Sequence, residues 1–556
     1  MKILRIGCLV ALLSVLHGCA LGPRYRAPKL DIPVKWSEIS NGTVPSGAVD
    51  LSDWWTAFHD PVLYSLVTRA IHSNLDLRIA EARIREARAA RGIVAADRLP
   101  SIDASASATR SERSESLPPF RTRAAGGGGA GNAFGDRIQD LFQAGFDASW
   151  EIDVFGGIRR GVEAASADVE AVVEDRRDVL VTLLAEVSRN YVELRGNQIR
   201  KEILKKNLMV QRDTLILTKV RFAAGLASDL DVARAAALVS TTQAHAPVLE
   251  TAARQAIHRI GVLLGEHPGS LIQELTKEGP IPLHPPDVPM GLPSDLLRRR
   301  PDIRRAEREL AAATARIGVA MADLFPRFSL TGSFGRRSDA FGDLTAGAAR
   351  FWGFGPDIRW PIFAGGRIRA NVQAQDARRE QALAVYERTV LTSMEEVENS
   401  LVAYSQERER RLSLNSAFEA NRNAVDLASS RYSGGLEDFL TVLDAQRLLY
   451  ASQDTLAQSE QAVAVNVIGL YKALGGGWEN TVAGFEGAAR ISNRVLPGAG
   501  RHALARFRSS MAEGSSSSSN DFMSSFNWSR LVALAMGAVM PGRAINQARA
   551  TVAGAE

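Results

Sequence analysis

The sequence is poor in residues that catalyse reactions or bind metals. Of its 556 residues only two are cysteines, Cys8 and Cys19, and both lie near the N-terminus, so the body of the chain has no disulfide framework or cysteine metal site. The 8 histidines are scattered without an HxxxH or HExxH spacing, and no Walker-type phosphate loop occurs. We therefore predict that the protein is not an enzyme and that it has no cofactor other than covalent lipid.

The sequence also lacks a strong excess of one charge. It has 67 lysines and arginines against 62 aspartates and glutamates, for a formal net charge of +5. The arginines alternate with acidic residues along the predicted helices and do not form a block that would follow a row of phosphates. We predict no nucleic-acid partner.

Long apolar runs are missing too, and the run at the N-terminus is short. Two basic residues precede apolar residues 7–16, a pattern typical of a signal-peptide core and too short for a membrane-spanning helix. The run ends in the sequence LHGC, which resembles a lipoprotein cleavage box. We predict that Cys19 becomes the first mature residue and carries N-palmitoyl and S-diacylglycerol groups, and Ala20 in place of Asp favours the outer membrane. The alternative is an ordinary secretory signal with a chance cysteine.

The sequence does contain an internal duplication. Residues 74–81 align with residues 300–307 at an offset of 226, and this offset holds without a gap to Pro100 and Pro326. Farther along the offset becomes 210, and the 16-residue difference falls in a Ser-, Pro- and Gly-rich stretch near residues 111–131 of the first copy. Repetition of this kind predicts two copies of one structural unit. The matched pairs at the 210 offset include Trp150 with Trp360, Gly225 with Gly435 and Leu226 with Leu436.

Each copy contains stretches in which apolar and polar residues alternate, as in a β-strand. The alternation covers residues 146–151 in the first copy, and residues 328–334 and 352–360 in the second. Two hairpins are too few for a soluble sandwich, whereas strands of about ten residues with aromatic and polar faces suit an outer-membrane barrel. Because four strands cannot close a barrel, we predict that the chain oligomerises.

A long stretch without glycine or proline follows the second hairpin. It covers residues 367–433 and predicts a single helix of 67 residues, roughly 100 Å long. Apolar residues recur along it about every 3.5 residues, which is the seam of a coiled coil and fits a curved wall of paired helices. The seam residues are Leu383, Tyr386, Val390, Met394, Val397, Leu401 and Tyr404.

Two similar sequences mark chain reversals between long helices. They are RFAAGL at residues 221–226 and RYSGGL at residues 431–436, and their glycines permit the left-handed end of a helix. Acidic residues follow both reversals. Ser228 with Asp231 approximates a capping box, so helix capping is one interpretation of these acids, and it is compatible with a position in a pore.

Three consecutive arginines, residues 298–300, precede a predicted helix. Asp295, Asp302 and Glu307 stand nearby in the sequence, and Pro301 is acceptable in a first helical turn. We interpret the three arginines as a solvated, ion-paired start of that helix.

These motifs resemble those of the outer-membrane factors of tripartite efflux systems, the TolC-like proteins, and in particular the NodT-type outer membrane lipoproteins. The resemblance covers residue 16 to about residue 478. It implies a mainly α fold with membrane β-structure, in which four strands per protomer form a twelve-stranded outer-membrane β-barrel in a homotrimer, continued by a long periplasmic α-helical barrel. The motifs that carry it are CALGPRY from residue 19, WW at 54–55, GLPSDLLRRRPDIRRAE at 291–307, ATARIGVAMADLFP at 313–326 and the two reversals.

The resemblance implies a passive channel subunit in the outer membrane that extends into the periplasm. Drugs or other small compounds would reach it from an inner-membrane RND-type transporter through a periplasmic adaptor. The implied sites lie at the periplasmic tip. For adaptor docking they are Arg221, Gly225, Leu226, Arg431, Tyr432, Gly435 and Leu436, and for a periplasmic gate they are Asp229, Asp231 and Asp438.

Two alternatives remain at this stage. One is an outlet channel for type I protein secretion, and the other is a periplasmic adaptor or structural coiled-coil lipoprotein, which would lack barrel hairpins.

The sequence predicts five divisions, namely a signal peptide (1–18), an anchor and strap (19–65), a first repeat (66–290), a second repeat (291–478) and a disordered tail (479–556). The first repeat has a β-hairpin at about 100–155 and a helical hairpin at about 158–265. The second repeat has a β-hairpin at about 326–364 and a helical hairpin at about 367–475.

Overall fold

The computed structural model describes residues 20–37, 51–112, 114, 138–282 and 292–479. The predicted signal peptide, Cys19, most of the glycine-rich insertion and all of the predicted tail beyond residue 479 lie outside the described residues.

The described chain alternates between helices and strands in an order that repeats. The helices are α1 (Pro61–Ser73), α2 (Leu75–Ala96), α3 (Gly157–Ala223), α4 (Asp229–Ala244), α5 (Ala246–Leu263), α6 (Ile272–Leu275), α7 (Leu296–Arg299), α8 (Pro301–Ala322), α9 (Arg367–Ser433) and α10 (Phe439–Ala473). The strands are β1 (Ser101–Glu112), β2 (Ile138–Ile152), β3 (Arg327–Ser338) and β4 (Arg350–Arg359).

Three pairs of equivalent elements in the two copies match in length. Helices α2 and α8 each have 22 residues, strands β1 and β3 each have 12, and helices α3 and α9 each have 67. The bounds of α9 are those of the stretch without glycine or proline, as the sequence predicted. The copies differ on the return path, where α4 and α5 together occupy the positions of the single helix α10. Pro247 lies in the first turn of α5 and cannot donate a backbone hydrogen bond, which accounts for the break.

The four strands form one antiparallel sheet in the order β1-β2-β3-β4. Opposed residues place Phe146, Phe334 and Trp352 side by side on one face, and Asp147, Ser333 and Gly353 on the other. The alternation predicted from the sequence is therefore confirmed. The aromatic face is exposed in the single chain, with Phe354 78% exposed. Among the described residues, strands β1 and β4 are the two edges, and each has a neighbouring strand on one side only.

A pair of tryptophans joins the sheet to the helices in the same way in both copies. The indole Nε1 of Trp150 donates to the carbonyl of Arg98 at 3.0 Å, and that of Trp360 donates to the carbonyl of Leu324 at 3.1 Å. Both carbonyls belong to the turn between a helix and the following strand. The matching tryptophans found in the sequence thus make the same hydrogen bond.

The helices pack along the predicted seam. Tyr386, Val390, Val397 and Leu401 of α9 are buried in the main hydrophobic core, and Met394 packs against it. None of the helices within the described ranges is both long and apolar enough to cross a membrane. Burial of so narrow a stripe is typical of a coiled-coil seam.

The main hydrophobic core includes residues from the middle of both 67-residue helices, α3 and α9. Trp54, in a short 3-10 helix before α1, stacks on Tyr471 of α10 with ring centroids 5.0 Å apart. Asp60 caps α1 by accepting from the amides of Val62 and Leu63, and its second oxygen accepts from the Tyr191 hydroxyl at 2.8 Å. These contacts hold the start of the first copy against the long helices of both copies.

The interpretation of the three arginines as solvated is wrong for Arg300. Its side chain is buried, with the residue 7% exposed, and its guanidinium donates to Asp302 and to the carbonyl of Ala473 at 2.7 Å and pairs with Glu396 at 2.7 Å. The predicted ion pairing is present. Arg300 is buried because the C-terminus of α10 folds over it, a long-range contact that local sequence does not reveal.

We predict that Arg300→Met lowers the free energy of unfolding by about 1–3 kcal/mol, because it leaves the half-buried Asp302 carboxylate without its partner. Burial works to raise the pKa of Asp302, but the hydrogen bond and charge of Arg300 outweigh it and hold that pKa below its ordinary value. The contribution is therefore full above the ordinary aspartate pKa and is lost as the pH falls below it. Urea unfolding of the detergent-purified protein at several pH values measures both effects.

Arg298→Met is the matched control, because Arg298 is exposed and its replacement should change stability by less than about 0.5 kcal/mol. Equal losses for the two variants, or a loss for Arg300→Met that does not shrink at low pH, would contradict the assignment.

Candidate functional site

The two reversals form the end of the molecule farthest from the sheet, and they share one backbone structure. In each, the amide of the leucine bonds to the carbonyl of the arginine five positions earlier, Leu226 to Arg221 at 2.8 Å and Leu436 to Arg431 at 2.9 Å. Gly225 and Gly435 both have φ of +73°, in the left-handed region that glycine adopts without strain. The reversals at the predicted tip residues are therefore present in both copies.

The leucines of the tip are exposed to the same extent. Leu226 and Leu436 are each 73% exposed, although leucine is usually buried. Open space surrounds both turn glycines, so the turn backbone and the leucine side chain are accessible together. The tip therefore presents two equivalent, exposed apolar side chains.

One contact across the tip joins the two copies. The Arg221 guanidinium lies over the Tyr432 ring, 4.3 Å from its centroid, and donates to the Tyr432 carbonyl at 3.3 Å. The Tyr432 ring packs against Phe439 at 5.3 Å in a small core of its own. A cation over an aromatic face contributes about 0.5–1 kcal/mol at an exposed site. Arg221 and Tyr432 therefore fix one helical hairpin against the other.

The equivalent arginine of the second copy is used differently. Arg431 forms an ion pair with Glu437 at 3.2 Å, and the position matching Glu437 in the first copy is Ala227. Without a local acid, Arg221 reaches Tyr432 instead. Sequence comparison makes the two arginines look equivalent, and only this substitution signals that they are not.

The three predicted gate residues lie at helix starts. Asp231 and Ser228 form a capping box, in which the Ser228 amide and hydroxyl donate to the Asp231 carboxylate at 2.9 and 2.7 Å. These hydrogen bonds hold the pKa of Asp231 below its ordinary value. Asp229 is the first residue of α4, and Asp438 occupies the N-cap position of α10 without a capping bond from its side chain. The capping interpretation is confirmed for Asp231.

Sequence reasoning missed how the N-terminal strap, residues 20–37, is held. The carbonyl of Leu21 accepts from the Arg160 guanidinium at 2.9 Å, and its amide donates to the carbonyl of Phe155 at 3.2 Å. A Cβ on Gly318 would meet the Leu21 carbonyl oxygen at 2.7 Å, so glycine is required beneath the strap. Its duplicate, Gly92, has open space. The strap therefore packs on Gly318 of the second copy and leaves its equivalent in the first copy uncovered within the described residues.

The strap begins at the junction between sheet and helices. Ala20 lies against Gly156, which ends the segment after β2 and precedes α3. Farther along, the Tyr25 hydroxyl donates to Glu307 at 2.9 Å, and Ser37 donates to Glu398 at 2.8 Å. The strap thus runs along the helices away from the sheet.

Comparison with known proteins identifies relatives over most of the chain. Residues 66–266 and 292–476 match the family described as outer membrane efflux protein. Nodulation protein T of Rhizobium leguminosarum bv. trifolii is 35% identical over 84% of this chain and 96% of its own length, and the pyoverdine export outer membrane protein OpmQ of Pseudomonas aeruginosa is 35% identical over 85% and 97%. The solved structure of the outer-membrane channel OprN is 39% identical, with a TM-score of 0.75 over 83% of this chain and all of that one.

Proposed function

The chain belongs to the outer membrane efflux protein family, and from that membership we propose that three copies form one passive exit duct served by an inner-membrane RND-type transporter and a periplasmic adaptor. Drugs or other small compounds pass through it from the periplasm to the outside. The observation that carries the proposal is the pair of equally exposed leucines on matching turns at the end opposite the sheet.

Family membership confirms several predictions. The TolC-like fold, the NodT-type relationship, the outer-membrane location and the efflux role are those of the relatives and of the solved channels. The family is one of channels and not of enzymes. The coiled-coil or adaptor alternative is wrong, because the chain carries the sheet that such a protein would lack. Relatives that are named as outer membrane proteins of solvent and toluene efflux pumps favour efflux over type I protein secretion.

The trimeric arrangement is supported by what a single chain leaves open. Both edge strands have unpaired backbone groups on their outer sides, and such groups are not tolerated in a bilayer. The helices would close together with the sheet, because they form one packed layer in which α3 packs on α2 and on α8, and α8 packs on α9. Apolar side chains remain exposed along α9, at Leu391, Leu412 and Leu427. Neighbouring copies placed edge to edge satisfy the strands and cover these side chains together.

Adaptor docking is proposed for the tip residues Arg221, Gly225, Leu226, Arg431, Tyr432, Gly435 and Leu436. The two leucines supply apolar contact, the glycines let the backbone approach closely, and Arg221, Arg431 and Tyr432 hold the turns in place through the contacts described above. Burial of a leucine side chain contributes about 1.5–3 kcal/mol, so these exposed side chains can supply a substantial part of the binding free energy.

We predict that Leu226→Ser with Leu436→Ser weakens adaptor binding by at least about tenfold, because each truncated anchor costs more than about 1 kcal/mol. Binding is measured by biolayer interferometry between the detergent-purified protein and the purified adaptor encoded beside its pump. Val248→Ser is the matched control, since Val248 is 65% exposed but lies in α5, away from the tip. Equal binding by the double variant and the wild type, with the trimer intact, would refute docking at these leucines.

The gate is proposed to consist of Asp229, Asp231 and Asp438, repeated threefold around the closed tip. A ring of carboxylates concentrates cations at a constriction and so favours cation passage. Asp231 keeps its charge to a lower pH than an ordinary aspartate, because its pKa is lowered by Ser228.

We predict that Asp229→Asn with Asp231→Asn reduces the cation-to-anion permeability ratio several-fold in planar bilayers. The N-cap residue Ser228 is unchanged in this variant and still accepts from the backbone amide at position 231, so helix α4 should persist. In the wild type, we expect the cation-to-anion permeability ratio to remain above one when the pH falls to the ordinary aspartate pKa, because Asp231 is still charged there. Unchanged selectivity and conductance in the variant would remove these residues from the gate.

Lipid anchoring at Cys19 is supported by the position of the residue after it. Ala20 lies at the base of the sheet, where the membrane surface falls, so acyl chains on the preceding residue reach the inner leaflet of the outer membrane without a linker. Several acyl chains on one residue would anchor the chain stably, since each buried CH₂ contributes about 0.8 kcal/mol.

We predict that the mature N-terminal peptide begins at Cys19 and carries three acyl chains, as measured by mass spectrometry of the membrane-extracted protein. Cys19→Ser should prevent the modification and leave the signal peptide uncleaved at this site. A mature chain that begins at any other residue, or that carries Cys19 without acyl chains, would contradict the lipoprotein assignment.

A further inference from the structure

Two arginines face each other at the end of the sheet that is distant from the helices. Arg336 of β3 and Arg350 of β4 are directly opposed in the strand register. They lie on the same face as Phe334 and Trp352, which occupy the next opposed pair on that face. Both arginines are exposed. This face is the aromatic one, which meets lipid in a membrane barrel.

Like charges directly opposed on neighbouring strands destabilise a sheet unless a counter-charge lies between them. The opposite end of the same strand pair shows such compensation. There Arg327 opposes Arg359, and Arg327 pairs with Asp323 at 2.5 Å and with Glu151 at 3.9 Å.

The distal pair has no comparable counter-charge. Within the described parts of the chain, neither Arg336 nor Arg350 lies within 4.0 Å of a carboxylate oxygen. The nearby Asp140 is engaged by Arg110 at 3.6 Å. The opposed pair is thus a concentrated positive charge that an external anion would neutralise.

One of the two arginines is held in place in advance. The Nη1 atom of Arg336 donates to the carbonyls of Leu344 and Ala346, each at 3.0 Å, in the loop between β3 and β4. That loop also rests on the aromatic face, because Phe341 packs edge-on against Phe142 at 5.7 Å. The Nε and Nη2 atoms of Arg336 remain available, so little side-chain freedom is lost when an anion binds.

The height of the pair matches the outer boundary of the membrane. Trp360, at the periplasmic end, lies ten positions from Arg350 along β4 and its continuation. At about 3.4 Å per residue this is about 34 Å of strand, and a strand tilt of about 40° reduces it to a height of about 26 Å. The apolar band of an outer-membrane barrel is about 25 Å tall. The arginines therefore stand at the level of the outer-leaflet head groups.

We propose that Arg336 and Arg350 together bind the phosphate of a lipid head group in the outer leaflet, specifically that of a phosphorylated glycolipid. The guanidinium groups bind the phosphate, and the exposed aromatic side chains beneath them, among them Trp352 and Phe354, contact the acyl chains. A free phosphate would gain nothing from these rings, so a lipid is the occupant that fits both parts of the surface. This inference rests on insertion of the sheet into the outer membrane and is independent of adaptor docking.

The test uses the full-length protein purified in detergent, with diphosphorylated lipid A as the probe. Lipid A should raise the midpoint of thermal unfolding and remain bound in native mass spectra. Arg350→Gln should raise the lipid A concentration needed for half-maximal stabilisation about fivefold. Arg336→Gln with Arg350→Gln should raise it about 25-fold, since each arginine near a lipid surface contributes about 1 kcal/mol. Arg350→Lys, which keeps the charge and loses the planar fork, should fall between the wild type and Arg350→Gln.

Arg359→Gln is the matched control, because Arg359 also opposes an arginine but lies at the other end of β4 on the polar face. It should bind lipid A as the wild type does. Lipid A lacking phosphate should stabilise wild type and Arg350→Gln equally, and inorganic phosphate alone should not stabilise either.

Three outcomes would overturn the proposal. They are equal lipid A binding by wild type and the double variant, equal stabilisation by inorganic phosphate, and a loss of stability in Arg350→Gln that is already present without lipid. The last outcome would make Arg350 a contact between protein groups. Conductance in bilayers without lipid A and adaptor binding should be unchanged in these variants, so failure here is distinct from failure of the tip proposal.

Discussion

The main constraint on the structure comes from the backbone N–H and C=O groups left unpaired at the two open edges of its sheet. Strands β1 and β4 each have one unpaired side, and every unsatisfied N–H or C=O group in a bilayer costs several kcal/mol. A four-stranded sheet cannot curl far enough to pair its own edges, so in the proposed trimer other copies supply the missing neighbours. Because α2 leads into β1 and α9 follows β4, that proposed closure would also bring the exposed sides of these helices together.

The duplication supplies two nearly equivalent units for this closed wall, and the differences between them have identifiable causes. The repeated contacts are local, as in the tryptophans that bond to the turn before each hairpin and the glycines that end each long helix. The differences arise from single residues. Pro247 breaks the return helix of the first copy, and Ala227 in place of an acid sends Arg221 to Tyr432. In the proposed trimer, six similar units would therefore form a tube with threefold and not sixfold symmetry.

Local sequence patterns predicted the fold well where each residue's environment is decided by its neighbours in the chain. The bounds of α9, the faces of the strands and the capping box at Ser228 all follow from periodicity or turn chemistry. Long-range contacts were not predictable in this way. Arg300 is buried because the end of α10 folds over it, and the strap is held by Arg160 and by the absence of a side chain at Gly318. At the tip, sequence identified the reversals and the exposed leucines' positions, but not the contact that links them.

The central claim, that one chain contributes a third of a closed channel, is tested most directly by native mass spectrometry of the full-length protein released from detergent. The chain has a mass of 60.0 kDa, so the account predicts a single assembly of about three protomer masses, after allowance for the processed and acylated N-terminus. A protein that remains a monomer or a dimer in a membrane-inserted, conducting preparation would contradict it.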